Sequence, residues 1–364
     1  MQGILNISLN TIKSNWIALN DASFGKAAAV IKANAYGLGM NQIANALIEV
    51  GCNYFYVANL DEALELRKEN TSSKISIAIF EGFFEGSELI YLNNNLIPII
   101  NNLNQLKRLN DFNVVNKKNQ SIKAILNIDT GMNRLGLSSE EIDFVLKNKS
   151  ILDNTRWGFI MSHLANANDA ANKSNCQQLN KMKLFSKLIP NVKLSLANTF
   201  GIKLGPSFCL DQTRPGIGLY GIDSYGNNIN LMSKSLKFPF ELLAPIIQIK
   251  NVNIGEEISY GGVDTTNRNS KLATIGIGYA DGWLRFLKKN SSFLIEGKEC
   301  KVIGNITMDS FILDITDINK AKLKEEAYIS LVDNSNIKYI LRNLEIISYE
   351  FLTLIGNRII RRYN

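Results

Sequence analysis

The stretch AAAVIKANAYGLG, Ala27 to Gly39, decides the fold. Its opening residues, Ala27 to Ile31, are small or β-branched and apolar, a pattern typical of a buried strand. Lys32 follows them directly, although lysine is among the residues least often found in a core. The lysine therefore either reaches solvent at the strand end, with its stem covering apolar surface, or has a chemical task there.

The same unit, a short apolar run followed by a helical stretch, recurs through the first ~220 residues. About eight strands that alternate with helices in this way predict a (β/α)8 barrel. We expect helices at Asn10–Asn20, Met40–Val50, Asp61–Asn70, residues 102–111 and Asn175–Leu188. The predicted barrel strands are Lys26–Lys32, Tyr54–Ala58, Lys74–Phe80, Leu96–Ile100, Ile122–Ile128, Trp157–His163, Val192–Ala197 and Ile217–Tyr220.

The pattern changes after the polar, glycine-containing stretch Tyr225–Lys234. Strand-like segments then follow one another directly, which indicates a mainly antiparallel β domain. The N-terminal ILNISL also alternates, so we expect it to join that second sheet. We predict a barrel domain over residues 11–232 and a β domain over residues 233–364 together with 1–10. The strands expected in it are Ile246–Val252, Glu257–Tyr260, Leu272–Gly278, Phe293–Glu296, Lys301–Ile306, Phe311–Ile315 and Ala327–Leu331.

Composition excludes several classes of function. The net charge is +7, but lysines and acids are interleaved, without the concentrated basic face that nucleic-acid binding requires. No apolar run is long enough to cross a bilayer, and the start lacks a signal peptide, so we expect a cytosolic protein without membrane partners. With a single histidine and four widely separated cysteines, we expect no metal site.

Polar residues stand at the ends of several predicted barrel strands. Lys32 ends the first strand, His163 ends the sixth, and Asn198 and Thr199 end the seventh. Barrels of this type collect their functional residues at the carboxyl ends of the strands. Taken alone, His163 would be more typical of a hydrogen-bonded core histidine than of a site residue, but both His163 and Lys32 stand at strand ends, which favours a functional site.

The segment RPGIGLYG, Arg214 to Gly221, contains a G-x-G-x-x-G spacing. A dinucleotide fingerprint would place it between a strand and a helix, whereas here the glycines fall within the predicted eighth strand. They would instead let backbone amides approach a phosphate. Since lysine forms Schiff bases and pyridoxal phosphate carries an aldehyde and a phosphate, the sequence predicts this cofactor on Lys32.

The chain resembles the alanine racemases almost end to end. The resemblance is carried, in order, by AVIKANAYGLG, DTGMNRLG, SHLANAND, LANT, RPGIGLYG, SYGG, IGYADGW, NITMDS and ISYE. It implies a homodimeric pyridoxal-phosphate racemase that interconverts L- and D-alanine for peptidoglycan, with active sites at the subunit interface. Alternatives are a racemase of broader range or one acting on serine, and, in a different class, a non-catalytic cofactor carrier; such carriers lack the β domain.

The resemblance also implies a role for each site residue. The two bases would be Lys32, which is also the Schiff-base lysine, and Tyr260 of the other subunit. Tyr260 would be linked through His163 to Arg214, which meets the pyridine nitrogen. Substrate would contact Arg134 and Met308. The remaining cofactor contacts would come from Tyr36, Asn198, Thr199, Gly216, Ile217 and Tyr349.

Some positions depart from the family's pattern. Asn127 stands where many members carry a carbamylated lysine, so we expect Arg134 to be oriented otherwise, for example by a bound anion. Ser195 replaces a histidine that often contacts the pyridine-facing arginine, and Leu38 replaces another histidine. Asn133 stands where glycine is usual. None of these changes removes a predicted catalytic group.

Overall fold

The computed structural model describes residues 1–116, 121–231, 234–282, 291–318 and 323–364. In these ranges the chain forms one eight-stranded parallel sheet, one eight-stranded mixed and mainly antiparallel sheet, and a two-stranded ribbon. The predicted fold class, a (β/α)8 barrel followed by a mainly antiparallel β domain, is confirmed. None of the helices in these ranges is long and apolar enough to cross a membrane.

The parallel sheet curls into the barrel. Its strands pair in chain order, and a parallel bridge between Ala27 and Thr213 joins the first to the last. Tyr56, Ile99 and Phe159 belong to a buried cluster contributed by several of the strands, as expected for a barrel filled with side chains. The strands are β2 (Ala29–Val30), β3 (Tyr54–Val57), β4 (Ser76–Ile79), β5 (Leu96–Ile100), β6 (Lys123–Asn127), β7 (Arg156–Met161), β8 (Lys193–Asn198) and β9 (Gln212–Arg214).

Helices alternate with these strands and begin at polar caps. The Asn59 side chain accepts a hydrogen bond at the start of α4, and Ser138 and Glu141 form a capping box at α7. The helices are α1 (Leu9–Ala22), α2 (Lys32–Tyr36), α3 (Met40–Glu49), α4 (Leu60–Glu69), α5 (Glu88–Asn93), α6 (Leu103–Asn116), α7 (Ser139–Lys147), α8 (Lys173–Phe185), α9 (Thr199–Lys203), α10 (Pro206–Cys209), α11 (Ile337–Leu344) and α12 (Ser348–Thr353).

The second sheet takes in both ends of the chain. Strand β1 (Ile4–Ile7) pairs with β10 (Phe240–Val252) and with β18 (Ile360–Tyr363), as expected for ILNISL. The predicted boundary at residues 232–233 lies outside the described residues and stays a prediction. The other strands are β11 (Glu257–Ile258), β12 (Asp264–Thr265), β13 (Ser270–Ile275), β14 (Ser292–Ile295), β15 (Lys298–Ile303), β16 (Phe311–Asp314) and β17 (Tyr328–Val332).

One predicted strand was wrong and others end earlier than predicted; for example, β11 ends at Ile258, and Tyr260 lies in a turn of 3₁₀ helix. Ile217–Tyr220 is a turn of 3₁₀ helix, and the eighth barrel strand is the shorter β9 before it. All four residues of that turn are buried, and a fully buried run does not distinguish a strand from a helical turn. The first barrel strand is also shorter than predicted, because Lys32 already belongs to α2.

Candidate active site

A cavity of about 660 Å³ contains most of the predicted site residues. It lies where the residues that follow the barrel strands meet the start of α12. The polar groups that follow the carboxyl ends of the strands thus face one cavity. The predicted site residues that line it are Lys32, Tyr36, Arg134, His163, Asn198, Thr199, Arg214, Gly216, Ile217 and Tyr349.

The backbone after Lys32 is left-handed. Ala33, Asn34, Ala35 and Tyr36 have φ values of 53°, 51°, 52° and 56°. This conformation costs an L-residue about 1–2 kcal/mol, so four in succession persist only where surrounding contacts impose it. The Asn34 side chain accepts a hydrogen bond from Met40 N (2.8 Å), which ties the turn to α3. The sequence predicted only the glycine-rich end of this turn.

The Lys32 amine lies in a largely apolar and cationic environment. Its Nζ is 5.6 Å from the centre of the Phe80 ring. Burial and the positive charge of Arg134 lower the pKa of Lys32, and the Glu62 carboxylate partly offsets them. A lowered pKa increases the fraction of neutral amine, which is the form that attacks a carbonyl or accepts a proton.

Arg214 is buried at the bottom of the cavity, with 2% of its surface exposed. Its Nη1 donates to Ser195 Oγ, and its Nη2 donates to the Ser162 carbonyl oxygen (2.6 Å). Its Nε has no hydrogen-bond partner among the described residues. Burial lowers the pKa of Arg214 to about 10, so the side chain stays charged at neutral pH. The charged Nε–H is therefore a buried donor to which the described part of the chain offers no acceptor.

The His163 ring lies between two hydrogen-bond donors. Arg214 Nη2 is 3.5 Å from Nδ1, and Asn198 Nδ2 is 3.4 Å from Nε2. Since guanidinium can only donate, Nδ1 must accept, and the proton of the neutral ring stands on Nε2. That proton faces the Asn198 amide nitrogen, which cannot accept it, while the Asn198 amide oxygen caps α9 by accepting from Gly201 N (2.9 Å). Nε2–H therefore lacks an acceptor on Asn198.

One cradle of donors forms around Thr199. Its Oγ1 accepts from Gly216 N (3.2 Å) and Gly218 N (3.1 Å), so both amides turn towards the same point. A Cβ on Gly216 would lie 2.4 Å from the Tyr36 hydroxyl, which explains the glycine. Burial raises the pKa of Tyr36 far above its usual value, and it raises that of Tyr349 to about 12. Both phenols therefore remain neutral hydrogen-bond donors.

Arg134 and Asn127 also line the cavity. Asn127 Nδ2 donates to Asn101 Oδ1 (2.8 Å), and Asn101 in turn donates to the Phe80 carbonyl oxygen (2.8 Å). Asn133, beside Arg134, has a φ of 58°, the left-handed conformation for which glycine is usual and asparagine the common substitute. The expectation that an anion orients Arg134 stays a prediction.

Tyr260 and Met308 do not line this cavity. They are 77% and 53% exposed, and both belong to the β domain. The Tyr260 carbonyl oxygen accepts from Asn305 Nδ2 (2.9 Å), which holds its backbone while the side chain projects outward. Trp283 of the IGYADGW motif lies outside the described residues.

Among the residues that sequence reasoning missed, three contact Lys32, Arg214 or the backbone beside them. Ser162 accepts from Arg214, Phe80 lies against the Lys32 amine, and Glu62 accepts from the backbone after Lys32. The position of Phe80 was predictable, because Phe80 ends the predicted third strand as Lys32 ends the predicted first strand. Nothing in the sequence indicated the role of Glu62, because a glutamate in the first turn of a helix is common.

His163 is expected to remain neutral down to about pH 5 in the folded protein. Burial, then the charges of Arg214, Arg134 and Lys32, lower its pKa from 6.5 to about 3. Below pH 6.5 the unfolded chain therefore binds a proton that the folded chain rejects, and folding stability falls until about pH 3. As the chain has one histidine, NMR of histidine-labelled protein reports this ring alone.

His163→Gln serves as the control, since it removes the titrating ring. Its urea-unfolding free energy should fall less between pH 7.5 and pH 5 than that of the unaltered protein. A ring that becomes protonated near pH 6 in the folded protein would contradict the expectation.

Comparisons with known proteins agree with this geometry. The sequence models of the alanine racemase N-terminal and C-terminal domains match residues 7–224 and 240–363. The alanine racemase of Rickettsia canadensis is 37% identical over 361 residues, which is 99% of this chain and 98% of that protein. The alanine racemase of Brucella ovis is 34% identical over 99% of this chain and 93% of its own length.

The chain also resembles solved structures of alanine racemases. The crystal structure of the Bartonella henselae alanine racemase, which has covalently bound pyridoxal phosphate, superimposes with a TM-score of 0.91 and 35% identity, and each chain is fully covered. The biosynthetic alanine racemase of Pseudomonas aeruginosa gives a TM-score of 0.84 at 27% identity, covering 100% of this chain and 99% of its own. The chain therefore belongs to the alanine racemases, a family of pyridoxal-phosphate-dependent isomerases.

Proposed function

We propose that this chain racemises alanine with pyridoxal phosphate, by two bases at a site shared between two subunits, and so supplies D-alanine for peptidoglycan in the cytoplasm. The observation that carries the proposal is the single cavity in which Lys32, Arg134, Arg214 and the Thr199 cradle meet. The cavity combines the Lys32 amine, whose lowered pKa favours its neutral form, with two guanidinium groups and a cluster of backbone N–H donors. A cofactor with an aldehyde and a phosphate, and a substrate with a carboxylate, need these groups.

The residues present fit pyridoxal phosphate. The unpartnered Nε of Arg214 is a donor for the pyridine nitrogen, and the Thr199 cradle with Tyr36 and Tyr349 suits the phosphate. The cofactor, when bound, supplies an electron sink that acidifies the substrate α-hydrogen. Because Arg214 keeps its proton, it would leave a pyridine nitrogen beside it unprotonated, and the weaker electron sink would favour return of the proton over competing reactions.

Racemisation takes a proton from one face of the α-carbon and returns one to the other, so two bases on opposite faces are the natural arrangement. The first is Lys32, whose lowered pKa increases its neutral fraction. For the second we propose Tyr260 of the other subunit. Its exposure and its absence from its own chain's cavity support a place in a partner's site.

The tautomer of His163 supports the same arrangement. With Arg214 donating to Nδ1, the ring presents an Nε2 proton that Asn198 does not accept. A phenolate oxygen is a strong acceptor for such a proton, and hydrogen bonding to the charged form lowers the pKa of a phenol. His163 would thus stabilise the Tyr260 anion without becoming charged itself.

The test of the proposed function is racemisation measured by chiral chromatography. L-alanine incubated with the holoprotein should give D-alanine, and L-serine should react much more slowly. Borohydride reduction of the same holoprotein should attach the cofactor to a peptide containing Lys32. Labelling of another lysine would overturn the site, and equal or faster turnover of serine would replace alanine as the substrate.

Arg134→Ala should raise the KM for alanine far more than it weakens cofactor retention. Arg134 lines the cavity and is a donor for the substrate carboxylate. A bidentate pair between a guanidinium group and a carboxylate is stronger than a hydrogen bond between neutral groups. Loss of that contact should raise KM by about 10- to 100-fold. Cofactor retention is read from absorbance after gel filtration, and equal loss of both would make Arg134 a cofactor residue.

A further inference from the structure

Glu62, in the first turn of α4, binds the backbone that follows each of two neighbouring barrel strands, β2 and β3. Its Oε1 accepts from Ala33 N at 2.6 Å, and its Oε2 accepts from Ala58 N at 2.7 Å. Asn59 caps the same turn by accepting from Glu62 N (3.0 Å). Both carboxylate oxygens are therefore used, one on the residue after Lys32 and one on the residue after β3.

We propose that Glu62 is a positioning residue for Lys32: its carboxylate fixes the entry into the left-handed turn α2 and so sets the direction of the Lys32 side chain. The inference rests on the proposed function only for its catalytic consequence. Ala33 is the first left-handed residue of the turn, and its N–H donates to Glu62 Oε1. A charged acceptor at 2.6 Å provides the kind of contact that such a strained backbone needs.

The carboxylate also acts on the amine through its charge. It raises the pKa of Lys32, against the lowering by burial and by Arg134. Among the described residues that line the cavity with Lys32, the remaining charged or titratable ones are Tyr36, His163, Arg214, Tyr349 and Glu350. Arg134 and Arg214 are cationic and Glu350 is a carboxylic acid, but the charges that shift the pKa of Lys32 are those of Arg134, which lowers it, and of Glu62, which partly offsets that lowering.

The experiment compares Glu62→Gln with Glu65→Gln, a matched loss of one carboxylate from the same helix. Glu65 is exposed, accepts from the Asn41 side chain (3.2 Å) and is not among the charges that shift the pKa of Lys32. The pKa of the Lys32 amine is measured in the full chain freed of cofactor, from the pH dependence of its acetylation by acetic anhydride. Glu62→Gln should lower that pKa by about half a unit or more, and Glu65→Gln should not.

Hydrogen exchange of the peptide spanning residues 33–36 reports the turn itself. Glu62→Gln leaves one of two N–H groups without an acceptor, so exchange should quicken by about tenfold or more. In the holoprotein kcat should fall by about 10- to 100-fold with KM nearly unchanged, because a misdirected base costs rate rather than binding. The readouts without cofactor remain decisive even if the chain does not racemise alanine.

Glu62→Asp separates the effect of the carboxylate's charge from the effect of its length. It also serves as the test if Glu62→Gln does not fold. The shorter carboxylate keeps the charge but cannot bridge Ala33 N and Ala58 N. The Lys32 pKa should therefore stay near its original value, while exchange in the turn quickens and kcat falls. Exchange in the turn as slow in both Glu62 variants as in Glu65→Gln would overturn the proposal.

Discussion

Lys32→Ala and Tyr260→Phe should each lose activity by about 10³-fold or more as homodimers, and mixing them should restore it. The first variant lacks the amine that holds the cofactor and serves as one base. The second keeps a base on one face of the substrate only, and a positioned general base contributes about 10²–10⁴-fold. Tyr260 is 77% exposed, so its substitution should not affect the stability of the fold.

The mixing experiment depends on where Tyr260 acts. When the two variants are unfolded together and refolded, a heterodimer has one site with both substitutions and one site with neither. Activity should reappear in proportion to heterodimers counted by native mass spectrometry, with one working site in each. Heterodimers that form and stay inactive would show that both bases come from a single chain, and the proposed shared site would then be wrong.

Much of the fold follows from short apolar runs at regular spacing. Leu96–Ile100 was predicted to the residue, since a buried parallel strand is apolar throughout and its flanks are polar. The element after Arg214 was predicted wrongly, because hydrophobicity records burial and not the backbone conformation. Glycines at 216 and 218 marked a close approach of backbone, but it is to Thr199 and Tyr36 in a 3₁₀ turn and not within a strand.

The candidate site was predictable where a residue ends a strand, and not where a contact depends on a distant element. Lys32 and His163 could be placed at the cavity from strand ends alone. The left-handed turn of residues 33–36 could not, since alanine and tyrosine do not favour that conformation. It exists because tertiary contacts, among them that of Glu62, stabilise it.

Arg214→Gln should have the second large effect, on activity and stability together. It removes the donor to Ser162 O and to Ser195 Oγ, and it removes the free Nε. Buried acceptors without donors cost about 1–3 kcal/mol each, so the free energy of unfolding should fall by about 3 kcal/mol or more. Racemisation should fall by about 10²-fold or more, because a preorganised charged donor at the cofactor is lost.

Ser195→Ala separates these two effects. It removes one acceptor of Arg214 but leaves the guanidinium and its Nε in the cavity. Ser195 Oγ also donates to the Gln212 carbonyl oxygen (2.9 Å), so the variant should lose about 1–2 kcal/mol of stability. Its activity should fall by less than about tenfold, since the remaining contacts to Ser162 O and Leu196 O still fix the side chain. If Arg214→Gln loses stability but keeps the activity of Ser195→Ala, Arg214 only supports the fold, and the pyridine nitrogen must be met by another residue.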